Sequence, residues 1–382
     1  MRPTLLTSAL SVTAALTLTL AGATPASALS TVCVVNGVSM SGSVINGTNG
    51  PDTVTCRVFG NAGPEVTVNL LGGDDTFTFT TDTILAGTVI NGGDGNDTFS
   101  GSDSTRSFGT ITGGNGNDTV SIVNTGNVLT TQPGGVIDTG PGADTVDAAT
   151  QELKGTIRTG TGNDRIDMPG GNGGEIDTGD GSDTITLDSS GGFSLGGTAN
   201  GGRINSGPGL LDTITLIGGN GLTLDGQFAI PGGVGNTGFV SAGDGGVDNI
   251  TIRGGSGSNG DDDLPESRVG GVANMGRVFG GPLVDTIRLI GGNGGPDGPG
   301  GAANVRVAVY EPGEVNGGNL IDVITLTGGQ GDDGNGPRAA SNTPGATVNG
   351  DGDGQEGGVL DGGVCTFNPA NQGTVTNCVT TG

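Results

Sequence analysis

Short runs of alternating apolar and polar residues recur along this chain, each following an aspartate. Thr184-Ile185-Thr186-Leu187, Asp212-Thr213-Ile214-Thr215-Leu216, Asp285-Thr286-Ile287-Arg288-Leu289 and Asp322-Val323-Ile324-Thr325-Leu326 set apolar side chains on one face and mostly Thr on the other. This is the period-2 signature of a half-buried strand. A second short run precedes the turn in the first half, as in Gly109-Thr110-Ile111-Thr112 and Gly155-Thr156-Ile157-Arg158. The β-branched residues suit a pleated surface, and the glycines between runs supply the positive φ that tight turns need. No helical periodicity of useful length follows residue 30. In the first half the closing Asp of each unit falls at 52, 75, 97, 118, 144, 164 and 183, in steps of 23, 22, 21, 26, 20 and 19 residues. A step near twenty matches one coil of a narrow solenoid, with two strands of about five residues and two turns.

From residue 201 the rhythm widens. Asp212, Asp248, Asp285 and Asp322 follow Asp183 at steps of 29, 36, 37 and 37. A Gly-rich loop now trails the strand (Gly218 to Gly221, Gly291 to Gly294, Gly328 to Gly331), and a third apolar stretch appears, as in Val305-Arg306-Val307-Ala308-Val309. The expected fold is all-β: a parallel β-solenoid with two-strand coils over 61–200 and wider three-strand coils over 201–345. Two narrow coils per 37 residues is the competing reading. Leu211, Val247, Val284 and Ile321 stand before Asp where the first half has Asn96, Asn117, Ala143, Asn163 and Ser182. Bulky residues tolerate a left-handed turn poorly, so the later loops are not expected to repeat the earlier chemistry.

Composition sharpens this picture. The 382 residues include 85 Gly, one Tyr (Tyr310), no Trp and no His, which argues against a thick globular core. The net charge of −26 repels nucleic acid and anionic membranes and attracts cations. Asp is the main acid, and its short side chain favours tight loops. Residues 1–28 read as a secretory signal: Arg2, an apolar run from Leu5 to Leu20, and Ala26-Ser27-Ala28 ahead of the cleavage point. No later apolar stretch is long enough for a membrane span, so a secreted protein, extracellular or at the cell surface, is expected. The four cysteines, Cys33, Cys56, Cys365 and Cys378, lie near the two ends. Three connectivities are open, and local pairing would staple an N-terminal cap (29–60) and a C-terminal cap (346–382) where a solenoid exposes its core.

The units Gly92-Gly93-Asp94-Gly95-Asn96-Asp97-Thr98-Phe99 and Gly113-Gly114-Asn115-Gly116-Asn117-Asp118-Thr119-Val120 resemble the nonapeptide of the repeats-in-toxin, or hemolysin-type, calcium-binding proteins. The units ending at Asp144, Asp164 and Asp183 match less closely, each with Thr at the first Gly. The family runs nonapeptides in tandem, whereas this chain has one per coil, which implies a single row of sites along one edge. The resemblance implies calcium between successive coils. Its ligands would be Asp75, Asp97, Asp118, Asp144, Asp164 and Asp183, with Asp94 and the carbonyls of Gly95, Gly116, Gly142, Gly162 and Gly181. Electrostatics argues for a cation independently. Stacked coils place equivalent carboxylates about 4.8 Å apart, and their repulsion needs neutralising in a chain with only 13 Lys and Arg. Calcium accepts mixed carboxylate and carbonyl oxygens, whereas magnesium holds its waters and zinc lacks His or free thiolates here.

The function expected is a secreted, non-enzymatic, calcium-binding module of structural, adhesive or surface-associated type. Calcium ions and cell-surface or extracellular polysaccharide are the expected partners, and nucleic acid is not. A polysaccharide lyase or epimerase is the alternative, but Lys154 is the only Lys and aromatic platforms are scarce; Arg165, Arg288 and Arg306 are its candidate groups. Ice binding is a third reading. Its sign at Thr161-Gly162-Asn163-Asp164 is not repeated, because Asp94, Asn115, Pro141 and Asp180 hold the Thr161 place.

Overall fold

A computed structural model describes residues 32–381 except 58–65, 81–82, 85–86, 102–105, 108, 124–134, 150–151, 192–196, 225–227, 231, 258–269, 295–300, 306–313, 319–321, 329, 331–341, 343–345, 350–362, 369–372 and 377. The signal segment, Asp261 to Asp263, Arg306 to Val309 and Ile321 lie outside the described residues.

The alternating runs form two long sheets, of fifteen and thirteen strands, in which the neighbours are successive coils. Parallel pairing runs without a break from Thr53–Arg57 to Cys378–Thr381 in the first sheet and from Val44–Asn46 to Thr374–Thr376 in the second. The protein is therefore a parallel β-solenoid. Apart from one three-residue 3-10 turn at Ser189–Gly191, its described regular structure is all strand.

Register is uniform because one face of every strand is buried, and a one-residue slip would turn that face to solvent. Ile185 stacks between Ile166 and Ile214, and Leu187 between Met168 and Leu216, all fully buried. The second sheet contributes one inward position per coil, in the file Ile90, Ile111, Ile137, Ile157, Ile176 and Ile204. The core is thus a narrow file of Ile, Val and Leu, as the low aromatic content implied. Phe77, Phe79 and Phe99 fill it near the N-terminal end, with the first two rings edge to face at 4.6 Å.

Each 36- to 37-residue unit of the second half adds one strand to each sheet, which excludes two narrow coils per unit. The wider coils gain a third line of parallel pairing, made of single-residue bridges through Asn172, Asn200, Asn236, Asn274, Asn304 and Asn342. These asparagines are buried, and each side-chain Nδ2 donates to Oδ1 of the next at 2.8–3.1 Å. Beside this ladder the chains approach closely at glycine. Gly233 N–H donates to Gly219, Gly255 to Gly233 and Gly271 to Gly255, and a Cβ on Gly255 would lie 1.9 Å from the Gly219 oxygen. No larger residue fits there.

The N-terminal end reverses direction. Val32–Val35 and Val38–Ser41 form a hairpin through Asn36-Gly37, both at positive φ, and the hairpin lies antiparallel on the first coil. Cys33 is bonded to Cys56 on the neighbouring strand and Cys365 to Cys378, which are the local pairings. Among the described residues no helix is long and apolar enough to cross a membrane.

Candidate functional site

The closing Asp of each coil directly precedes a first-sheet strand, so strand parity sets its direction. Asp97 shares parity with Phe99, which points into the core, while Thr98 points out. Asp52, Asp75, Asp97, Asp118, Asp144, Asp164, Asp183, Asp212, Asp248, Asp285 and Asp322 are accordingly all buried, none more than 2% exposed. They form a single column inside the solenoid. The backbone N–H of each donates to Oδ1 of the Asp in the next coil at 2.7–2.9 Å, from Asp52 to Asp75 through to Asp285 to Asp322.

The second carboxylate oxygen distinguishes the rungs. At Asp52 it accepts the Thr48 N–H at 2.6 Å, and Asn36 of the hairpin donates to the other oxygen, so the column is closed at this end. Oδ2 of Asp75, Asp97, Asp118, Asp144, Asp164, Asp183, Asp212, Asp248 and Asp285 is buried without a hydrogen-bond partner among the described residues. An unpaired buried polar atom costs about 1–3 kcal/mol, and more if charged, so these oxygens call for a proton or a cation.

A second column faces the first. Two residues after the inward position of each second-sheet strand stand in turn Gly47, Leu70, Gly92, Gly113, Thr139, Thr159, Thr178, Ser206, Ala242, Gly280 and Gly317. At Gly92 a Cβ would lie 2.2 Å from Asp97 Oδ2 and 2.3 Å from the Gly113 carbonyl oxygen. Gly113 repeats this with Asp118 Oδ2 and the Thr139 oxygen, and Gly280 with Asp285 Oδ2 and the Gly317 oxygen. Two acceptors therefore converge at each of these glycines. In the middle coils a hydroxyl is present: Thr139, Thr159, Thr178 and Ser206 donate to the next coil's carbonyl at 2.9–3.3 Å.

Burial holds the carboxyls above their ordinary range. It pushes Asp97, Asp183, Asp212 and Asp248 up to about 6, and Asp118 and Asp285 to about 7. Neighbouring Asp charges add to the rise, and the amide from the preceding coil opposes it. Asp75, Asp144 and Asp164 are also raised by burial, and the Thr139 and Thr159 hydroxyls hold the last two down. Those hydroxyls bond the carbonyls, yet they lie near enough for their dipoles to favour the carboxylate.

The donor set can be weighed against calcium. Among the described residues no three acidic, Cys or His side chains converge on one point, so a cation here would rest on column carboxylates and main-chain carbonyls. Calcium accepts such oxygens at about 2.3–2.6 Å, roughly half the ~4.8 Å between successive strands. All four cysteines are in disulfides, which leaves no thiolate for zinc.

The column brings together Asp75, Asp97, Asp118, Asp144, Asp164 and Asp183 along one edge. Asp94 stays outside it, exposed and accepting from Asn115 Nδ2 at 2.8 Å. Gly95, Gly116, Gly142, Gly162 and Gly181 form an adjacent stack whose amides bond the next coil's turn at 2.7–3.2 Å. Their carbonyls point along the stack: a Cβ on Gly116 would lie 1.9 Å from the Gly95 oxygen. Asp212, Asp248 and Asp285 take the same inward place as the first-half residues. The steric objection to them does not apply. Leu211, Val247 and Val284 point outward, 40–50% exposed, and the positive-φ residues other than Gly are Asn36 and Leu71 among the described ones. The signal available in the sequence was parity, since each Asp stands two residues before a buried Ile, Val or Phe.

The outer face of the first sheet carries Thr53, Thr76, Thr98, Thr119 and Thr145 in one row, with Thr55, Thr78 and Ser100 beside it. Threonine rows thus exist, on a different face from Thr161. Asp147, Arg165 and Asp167 interrupt them, with Arg165 bonded to Asp167 at 2.5 Å. Arg158 and Arg277 reach Glu175 and Glu314 across the outer face of the second sheet. A shallow depression between Asn163, Gly181, Ser182, Pro208, Gly209 and Leu210 has no titratable group in its lining. No protein-family model, curated protein or solved structure matches this chain.

Proposed function

We propose that this protein is an exported, non-enzymatic β-solenoid whose interior aspartate column takes up calcium, and that it serves as a structural or adhesive module outside the cell. The observation that carries the reading is the line of buried Oδ2 atoms without partners, from Asp75 to Asp285. A carboxylate oxygen buried without a donor is costly, and successive rungs stand close enough to share a divalent ion. The resemblance of the Gly92 and Gly113 units to calcium-binding nonapeptides points the same way. Export rests on the signal-like segment 1–28 and agrees with the two disulfides. Polysaccharide is the proposed class of surface partner.

Calcium titration of the full secreted chain by calorimetry tests this, together with circular dichroism before and after chelation. Binding of several ions per chain, with strand signal or melting temperature falling on chelation, is expected. Absence of calcium heat, with an unchanged melt after chelation, would sink the reading.

A further inference from the structure

The N-terminal hairpin ends in an unpaired edge. Val38–Ser41 is the outermost strand of the first sheet, and all four of its residues are exposed. Val35 and Val38 flank the two-residue Asn36-Gly37 turn as a bonded pair, so by alternation the N–H and C=O groups of Ser39 and Ser41 face away from Val32–Val35. Val38 and Met40 stand in register with the buried Val35 and Cys33, yet they are 59% and 36% exposed. The second sheet ends earlier, at Val44–Asn46, where Val44 is 57% exposed, so no described strand lies opposite them. No charged residue occurs between Arg2 and Asp52, in a chain of net charge −26. A charge or a proline, the usual protection of an edge strand, is absent from Val38–Ser41.

We propose that this edge seats a second copy of the chain. Two molecules join end to end, Val38–Ser41 pairing antiparallel with its own counterpart about a two-fold axis, with Val38, Met40 and Val44 closing over the join. This rests on removal of the signal segment and not on the calcium reading. A two-fold axis through the sheet brings identical edges together antiparallel. The chain itself shows that an antiparallel strand seats on this sheet, in Val32–Val35 on Thr53–Arg57. Charge favours this end over the rest of the surface. Copies of so acidic a chain repel one another, but the first exposed acid among the described residues is Asp74, three strands in and ~14 Å from the edge. That lies beyond the ~8 Å over which charge acts in physiological salt. Symmetric pairing uses up the edge on both molecules, so assembly closes at two. A four-residue edge covers less than the ~800 Å² per partner of a standard interface, so the dimer is reversible.

Sedimentation velocity over a concentration series tests this on the full secreted chain, whose N-terminus is first read by mass spectrometry. A concentration-dependent dimer is expected, and small-angle scattering should give it a maximum dimension about twice the monomer's. Met40→Lys sets like charges across the axis, and Ser39→Pro removes an outward N–H without breaking a bond to Val32–Val35. Each is expected to weaken dimerisation about tenfold. Leu210→Lys, at the most exposed large apolar residue described, should leave it unchanged. Circular dichroism checks that the variants fold, and either edge variant suffices if the other misfolds. A monomer at every concentration, a side-by-side dimer, open-ended growth, or a dimer that the edge variants leave intact overturns the proposal. Retention of residues 1–28 by the secreted chain overturns its premise instead.

Discussion

Leu71 is held at φ 84°, where its register neighbours in the next two coils are Gly93 and Gly114. A left-handed backbone costs a residue with a Cβ about 1–2 kcal/mol, and this side chain is 45% exposed, so packing returns little. Leu71→Gly is therefore expected to stabilise the N-terminal coils by about 1 kcal/mol, read as a higher urea midpoint. A lower midpoint would mean that the leucine's contacts outweigh its strain. The same scale explains why the aspartates were legible in sequence as a column but not as interior groups. Their spacing is visible in the repeats, whereas their direction depends on parity within a strand whose first residue had to be known. Asp94 looked equivalent to Asp97 by type, and it lies outside the column because it ends the strand Val89–Asp94 exposed, sharing the parity of the buried Ile90 and Gly92 but facing solvent at the strand's tip.

The elements divide into those that alternation announces and those it does not. Strands such as Thr184–Asp188 and Thr213–Ile217 are readable because one face is Ile and Leu and the other mostly Thr. The third line of pairing is not, because it consists of one residue per coil, Asn200, Asn236 and Asn274, amid glycine. An isolated Asn in Gly-rich sequence looks like a turn residue until the stacking is known. Asn236 accepts from Asn200 and from the Gly238 N–H and donates to Asn274, so Asn236→Ala removes two rungs of the ladder and takes the acceptor from that amide. A loss of about 2–4 kcal/mol is expected from the lost ladder bonds, the Gly238 N–H left without its acceptor and the deleted side chain. Amide hydrogen exchange should place that loss in the coils around residues 200–280. Unaltered protection there would show that the ladder contributes little.

Over the whole molecule the aspartate column links stability to pH. Asp97, Asp183, Asp212 and Asp248 titrate near 6, and Asp118 and Asp285 near 7, all above the ordinary carboxyl value of 3.8. The folded state thus binds protons more tightly than the unfolded chain. These groups favour folding fully below about pH 4, and that contribution declines as pH rises through 6 and 7. Chelated protein is expected to melt progressively lower from pH 4.5 to 7.5, and calcium should restore the melt most strongly at the upper end. A chelated melting temperature that is flat or rising over this range would contradict the picture. Thirteen parallel rungs of the first sheet, the fifteen strands less the hairpin pair, make a stack ~60 Å long. The hairpin at one end of it has a consequence for assembly. A stack of identical coils is a template for its own kind, and a bare terminal coil would accept a neighbour's in the same orientation. Here the strand laid on the first coil, Val32–Val35, runs the opposite way, and Asn36 already fills the first aspartate's acceptor. Another molecule meeting this end finds the first coil covered by the hairpin and no free rung to continue, so the aspartate column is not extended there.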